Sequence, residues 1–244
     1  MKIVSTIEAR MTSSRLPGKP MLKVNNRSML EHLVIRLKSI NLIDEIVLAT
    51  TTNSPDDLLV KEADKLGIKI HRGDENNVMK RVIEAGESVK ADVIVEITGD
   101  CPIIDPKIIE ESINIFKSNS YDYVSNALIR TYPDGMDTQV FLLSTLKNSY
   151  SMTNSEKDYE HVTLHIRNNP EIFTHYNMIA PSKIRRPELG LTLDEIKDYE
   201  LIKKIIEHFG DKNILFNCFE VINFIENNPE LLFINNTVKR KGNE

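Results

Sequence analysis

The 244-residue sequence predicts an α/β domain, in which helices cover both faces of a mainly parallel sheet. Two observations predict it. Short Val- and Ile-rich runs alternate with stretches of helical periodicity through the first half of the chain. A basic loop made largely of small residues follows the first of those runs, where open α/β sheets bind their ligands. Repeated strand–helix–strand units require crossovers over the sheet, and these are right-handed.

The elements read in order. Ile3–Ile7 is a buried first strand. Ser28 to Ile40 places Met29, Leu30, Leu33, Val34, Leu37 and Ile40 at helical spacing. Glu45–Thr50 is a strand; Ser54-Pro55 reads as an N-cap and first helical position, with Gly67 as the stop. Ile68–His71 is a short strand, Val78–Val89 a helix and Asp92–Thr98 a strand, and Asp105-Pro106 opens the next helix. After Tyr121 the pattern loosens. Tyr123–Ala127 and Thr138–Leu142 read as strands around a polar loop, Arg130–Asp137. Glu156–Arg167 and Tyr199–Phe209 read as helices, and Thr174–Ile179 and Leu191–Leu193 as late strands. Phe216–Phe233 reads as a helix docked on the domain or on a partner subunit, and residues 239–244 as frayed. No repeat or low-complexity linker divides the chain, so one domain spanning residues 1–244 is expected.

Composition limits the function classes. Apolar residues make up 41% and charged residues 27%, ordinary for a folded domain with a substantial core. Two cysteines make neither a disulfide framework nor a zinc site. The N-terminus lacks a sustained apolar region and no run approaches membrane-spanning length, so a cytoplasmic protein without a membrane partner is expected. A net charge of −5 gives no support for nucleic-acid binding.

Against that acidity the loop Glu8–Pro20, EARMTSSRLPGKP, stands out. From Arg10 to Lys23 the chain carries Arg10, Arg15, Lys19 and Lys23 and no acid. Thr12, Ser13, Ser14 and Gly18 let the backbone approach a ligand and offer it N–H groups, which suits a polyphosphate. It is not a Walker A loop, because Ser13 stands at the required Gly and Pro20 follows Gly18-Lys19. No G-x-G-x-x-G occurs. Two acids complete the pattern. Asp100 follows the strand Asp92–Thr98 and a Gly, and Asp194 follows Leu191-Thr192-Leu193. Each reads alone as a turn former or helix cap; beside a cationic phosphate loop, two such carboxylates suit Mg2+.

The strings carry a resemblance. The basic loop has the form A-R-x-x-S-x-R-L-P-G-K of sugar-activating nucleotidyltransferases. GDCP at Gly99–Pro102 and LTLDEIKDYELI at Leu191–Ile202 resemble the G-D-x-P and T-x-D-x-x-x-D motifs of the 3-deoxy-ulosonate cytidylyltransferases. ATTTN (Ala49–Asn53), ITGDCPIID (Ile97–Asp105), DYVSN (Asp122–Asn126), TYPDGMD (Thr131–Asp137) and EHVT (Glu160–Thr163) are similar to the spore-coat polysaccharide type. The resemblance implies a three-layer, Rossmann-like and glycosyltransferase-A-like fold. Residues 1–120 would bind the nucleotide, 121–210 the acceptor, and 211–244 would dock as a tail. It implies that Arg10, Arg15 and Lys19 grip the triphosphate of CTP, with Ala9, Arg72, Gly73 and Asp74 around base and ribose. Arg72 reads equally as a surface cation, and Asp74 as the cap of a helix beginning near Asn77. The resemblance gives Mg2+ to Asp100 and Asp194, and makes Lys19, Arg15 and Asp100 the catalytic set.

Asp134, Asp137, Gln139, Glu160 and His161 would meet the acceptor, a small acidic sugar. Arg186, of the pair Arg185-Arg186, is expected to turn inward to its carboxylate. A homodimer is implied. Glu8 departs from the usual Gln or Pro, and Gly190 from a basic residue. The expected reaction is attack of the acceptor oxygen on the α-phosphorus of CTP, with pyrophosphate leaving. Two readings stay open: a phosphorylated or phosphonate acceptor giving a CDP-type product, and a non-catalytic nucleotide-sugar binding protein. A glycosyltransferase usually carries Asp-x-Asp at a strand end, which is missing here.

Overall fold

The computed structural model describes residues 1–240. Strand β1 (Ile3–Glu8) is an interior strand of a seven-stranded sheet. Its apolar run is buried because sheet neighbours flank it on both sides and helices cover both faces. Gly18, at φ 73, closes the basic loop by donating to the Met11 carbonyl at 2.9 Å and starts a 3-10 turn, Lys19–Met21. A two-stranded ribbon follows, β2 (Lys23–Val24) and β3 (Arg27–Ser28), turned by Asn25 and Asn26 at φ 50 and 62. Both central residues at positive φ is the mirror-image turn that matches strand twist. Ser28 then caps α1 (Met29–Lys38), accepting from the Glu31 N–H at 3.0 Å.

The first half continues as expected: β4 (Glu45–Thr51), α2 (Asp57–Leu66), β5 (Lys69–Gly73), α3 (Val78–Ser88), β6 (Val93–Thr98) and α4 (Pro106–Ser118). One start differs. Ser54–Asp56 is a 3-10 turn and α2 begins at Asp57, because Asp56 turns inward to hold β4. Gly67 ends α2 in the left-handed region at φ 63, as read.

The second half holds β7 (Tyr123–Ser125), β8 (Gln139–Leu142), α5 (Leu143–Met152), α6 (Glu156–Glu160), α7 (Leu164–Asn168), β9 (His175–Asn177), α8 (Ile196–Phe209) and α9 (Cys218–Glu226). The strand order is β5-β4-β1-β6-β8-β7-β9, and β8 runs against all the others. The sheet is therefore mainly parallel. Helices α1, α2, α4, α8 and α9 build the core on one face and α3, α5 and α7 the core on the other.

Three expectations are corrected. Glu156–Arg167 is not one helix; it breaks at His161–Thr163, where Val162 and Thr163 turn inward. Leu191–Leu193 is not a strand. Gly190 makes one parallel bridge to Asp134, and the next residues thread between two loops, Leu191 N–H bonding to the Asp134 carbonyl and Leu193 N–H to that of Asp100. Residues 239–240 are not frayed: Lys239 accepts a bond from Arg15, and Arg240 grips Asp198. The rest of that expectation, 241–244, lies outside the described residues.

Candidate nucleotidyl-transfer site

The basic loop is pinned at its start. Asp56 is fully buried and accepts from Met11 N–H at 2.7 Å, Thr50 Oγ1 at 3.0 Å, Thr51 N–H at 3.1 Å and the Thr51 hydroxyl. Loop and β4 therefore share one anchor. Arg10 pairs with Glu75 at 3.2 Å, and Thr12 and Asn53 donate to the same carboxylate. Those two bonds hold the Glu75 carboxyl below its usual range. Arg81, buried on α3, reaches the carbonyls of Ala49, Asp74 and Glu75 and so fixes the chain entering α3. Arg72 braces the end of β4 through the Thr51 and Asn53 carbonyls and pairs with Asp57 at 2.7 Å. Asp74 accepts from the Asn76 and Asn77 N–H groups, while Asn77 caps α3 itself. Of the expected base-and-ribose strip, Ala9 and Gly73 place backbone at the ends of β1 and β5.

Beyond β6 the chain crosses the basic loop at Gly99. A Cβ there would lie 2.8 Å from both Ala9 Cβ and the Glu8 carbonyl, so only glycine permits this approach. Asp100 follows. Lys19 Nζ stands 3.0 Å from its Oδ2 and 3.3 Å from Asp194 Oδ1. Arg15 meets the other Asp194 oxygen at 2.9 Å. Thr98 Oγ1 donates to Asp100 Oδ1 at 2.6 Å. Burial alone would raise the Asp100 pKa, but Lys19 and Thr98 outweigh it and hold the carboxyl below its ordinary value. Lys19 is the mirror case: burial opposes its charge, yet the two aspartates raise it. Four residues from three distant stretches of sequence thus form one alternating charge cluster. Two carboxylates converge on a point occupied by a cationic nitrogen, and among the described residues no third His, Cys, Asp or Glu joins them. That donor set fits a hard divalent cation that keeps water and phosphate oxygens in its remaining positions.

The residues expected to meet the acceptor divide. Arg130 joins Asp134 at 3.2 Å and Asp137 at 3.0 Å. Burial pushes the Asp134 carboxyl up to about 6 and raises Asp137 as well. Gln139, on β8, uses its Oε1 on the Tyr123 and Thr163 hydroxyls. Glu160 and His161 are exposed at the end of α6. The expectation for Arg186 is corrected: its guanidinium pairs with Glu226 on α9, because the turn at Arg186–Leu189 carries it onto that helix. Sequence reading also missed Asp56, Glu75, Arg81, Arg130, Asp198 and Arg240. Asp198 was visible in the late motif, and the cation it pairs with was not.

Glu8 and Glu96 form a second feature. In the register of β1 and β6, Glu96 sits opposite Thr6, so the two glutamates lie diagonally on one face. Among the described residues neither Glu8 oxygen has a hydrogen-bond partner, nor does Glu96 Oε2. Burial and mutual repulsion raise Glu8 well above the carboxylate range, and burial takes Glu96 to about 7.

Residues 4–228 match the sequence profile of a family described as cytidylyltransferase. The chain is 33% identical to the spore coat polysaccharide biosynthesis protein SpsF of Bacillus subtilis over 93% of its length and 95% of that protein. It is 26% identical to the 3-deoxy-manno-octulosonate cytidylyltransferase of Geobacter metallireducens, over 82% of this chain and 86% of that one. A solved cytidylyltransferase of Leptospira borgpetersenii serovar Hardjo-bovis superposes with a TM-score of 0.92 at 32% identity, covering 98% of this chain and all of that one.

Proposed function

This chain belongs to the cytidylyltransferase family, and from that premise we propose that it transfers CMP from CTP to an acidic sugar with Mg2+ as cofactor and release of pyrophosphate. The observation that carries the reading is Lys19 held between Asp100 and Asp194 with Arg15 beside them. A lysine and an arginine already gathered at two carboxylates can turn to a triphosphate at little reorganisation cost. Lys19 and Arg15 would take the outer phosphates and stabilise the leaving pyrophosphate. Asp100 and Asp194, released from Lys19, would hold Mg2+. When bound, the ion supplies Lewis-acid stabilisation of phosphoryl oxygens and acidifies an attacking hydroxyl. Asp56, through Met11, would keep the loop in place while the charges rearrange.

The acceptor reading rests on the relatives: one is a 3-deoxy-manno-octulosonate cytidylyltransferase and another a spore coat polysaccharide biosynthesis protein. Asp134 and Asp137 are our candidates for its hydroxyls. We further propose a cytoplasmic homodimer. Among the described residues no helix is long and apolar enough to cross a membrane. Strand β9 is one of the two edges of the sheet, and Tyr176 on it and Ile129 and Ile179 next to it are exposed.

The deciding experiment measures pyrophosphate release with ATP, CTP, GTP and UTP against a panel of ulosonic and nonulosonic acids and sugar phosphates. CTP with a sugar acid should give a CMP-linked product by mass. Release only with a phosphorylated acceptor, or with none, overturns the reading.

A further inference from the structure

A segment remote in sequence closes the site. Gly190 lies four residues before Asp194, and a Cβ placed on it would fall 1.9 Å from one Nη of Arg240 and 2.5 Å from its Cζ. The guanidinium therefore rests on space that only glycine leaves. It makes two hydrogen bonds to Asp198, at 3.0 and 2.7 Å, and its Nε lies 3.9 Å from Asp134. Asp198 is fully buried and forms a hub. Its Oδ2 also accepts from the backbone N–H groups of Asp194 at 3.0 Å and Glu195 at 2.9 Å, and its Oδ1 from Asn235 at 2.8 Å. Asn235 spans to the Gly190 carbonyl, and the Lys239 carbonyl accepts from Arg15 at 3.0 Å. Residues 235–240 thus touch both arms of the charge cluster, Arg15 directly and Asp194 through Asp198.

We propose that Arg240 is a positioning residue for nucleotidyl transfer: it fixes the buried Asp198, and Asp198 fixes the backbone that aims Asp194. A buried carboxylate stripped of its cationic partner relaxes toward water or protonates. Either response loosens the Asp194 and Glu195 N–H bonds and lets the Asp194 carboxylate drift. The inference rests on the site assignment of the preceding subsection.

The test is a double-mutant cycle of Arg240→Ala and Gly190→Ala. Alanine at 190 meets only the far end of a flexible side chain, so the fold should hold while the guanidinium is expelled. Each single variant should lose about 10- to 100-fold in kcat, the scale of a misplaced reacting group, with the KM for CTP shifting far less. The double variant should equal the worse single one, and Arg240→Lys should recover part of the loss. Hydrogen exchange at the Asp194 and Glu195 amides should quicken in both single variants, a readout that needs no turnover. Additive losses, or unchanged exchange in Arg240→Ala, overturn the proposal. If wild-type protein releases no pyrophosphate, the functional reading fails while amide exchange still decides the positioning role.

Discussion

Lys19 is the residue on which the site turns. Its nitrogen sits within hydrogen-bond reach of two carboxylates from different loops, in a position burial alone would disfavour. On the proposed function such a lysine would be exchangeable, serving the aspartates in one state and phosphates in another. Lys19→Ala should therefore weaken CTP binding more than CMP binding, since the proposed function puts it at the outer phosphates. Calorimetry with the two nucleotides checks this, and equal losses would displace Lys19 from that role. Asp100 stands at the same junction with less freedom, held by Thr98 and Lys19. Asp100→Asn should cost at least ~10²-fold in turnover, as removal of a positioned electrostatic group does, with an unchanged circular dichroism spectrum. Near-normal turnover at limiting Mg2+ would remove it from the chemistry.

At the level of elements, the sequence was readable where one local signal decided the outcome. Strands β1, β4 and β6 are buried on both faces and spell themselves out as Val- and Ile-rich runs. The basic loop was readable because its cations recur every four or five residues from Arg10 to Lys23 with no acid between them. Helix α5 went unread because Leu143–Met152 is rich in Ser, Thr and Asn and shows only a weak apolar stripe. Leu191 and Leu193 alternate like strand residues because both are buried, yet their N–H groups bond to loop carbonyls and not to a strand. Arg240 was unreadable, since its partner lies 42 positions away and no periodicity links them. Docking of α9 shows a similar long-range dependence. Arg36, on α1, is buried and donates to the carbonyls of Ile104 at 3.3 Å and Phe216 at 2.8 Å, its guanidinium 4.0 Å from the Phe216 ring centre. Burial draws its pKa down to about 10. Arg36→Ala should remove about 3 kcal/mol of stability in urea unfolding, through two orphaned carbonyls and a cavity. A loss below about 1 kcal/mol would mean water replaces the guanidinium there.

For the molecule as a whole, the glutamate pair links the centre of the sheet to pH. Folding raises both carboxyl pKa values, Glu96 from 4.5 to about 7, so the folded state favours the protonated forms. The sign follows: the stability Glu96 contributes is complete below the ordinary carboxylate range and is lost as pH rises through about 7, and Glu8, raised well above its ordinary value, acts in the same direction. Thermal melts of the wild type should fall in Tm between mildly acidic and mildly alkaline buffer. Glu8→Gln, without the repulsion, should melt higher at the alkaline end and show a flatter profile. Parallel curves for the two proteins would assign the pH dependence elsewhere. The contact between Arg15 and the Lys239 carbonyl spans 224 positions. A chain emerging from the ribosome can build β1, its loop and most of the sheet long before that partner exists. If the proposed positioning role of residue 240 holds, competence would be tied to synthesis through that residue: a partly made chain would carry every loop cation and both aspartates, yet lack the contacts that residues 235–240 make with Arg15 and Asp198.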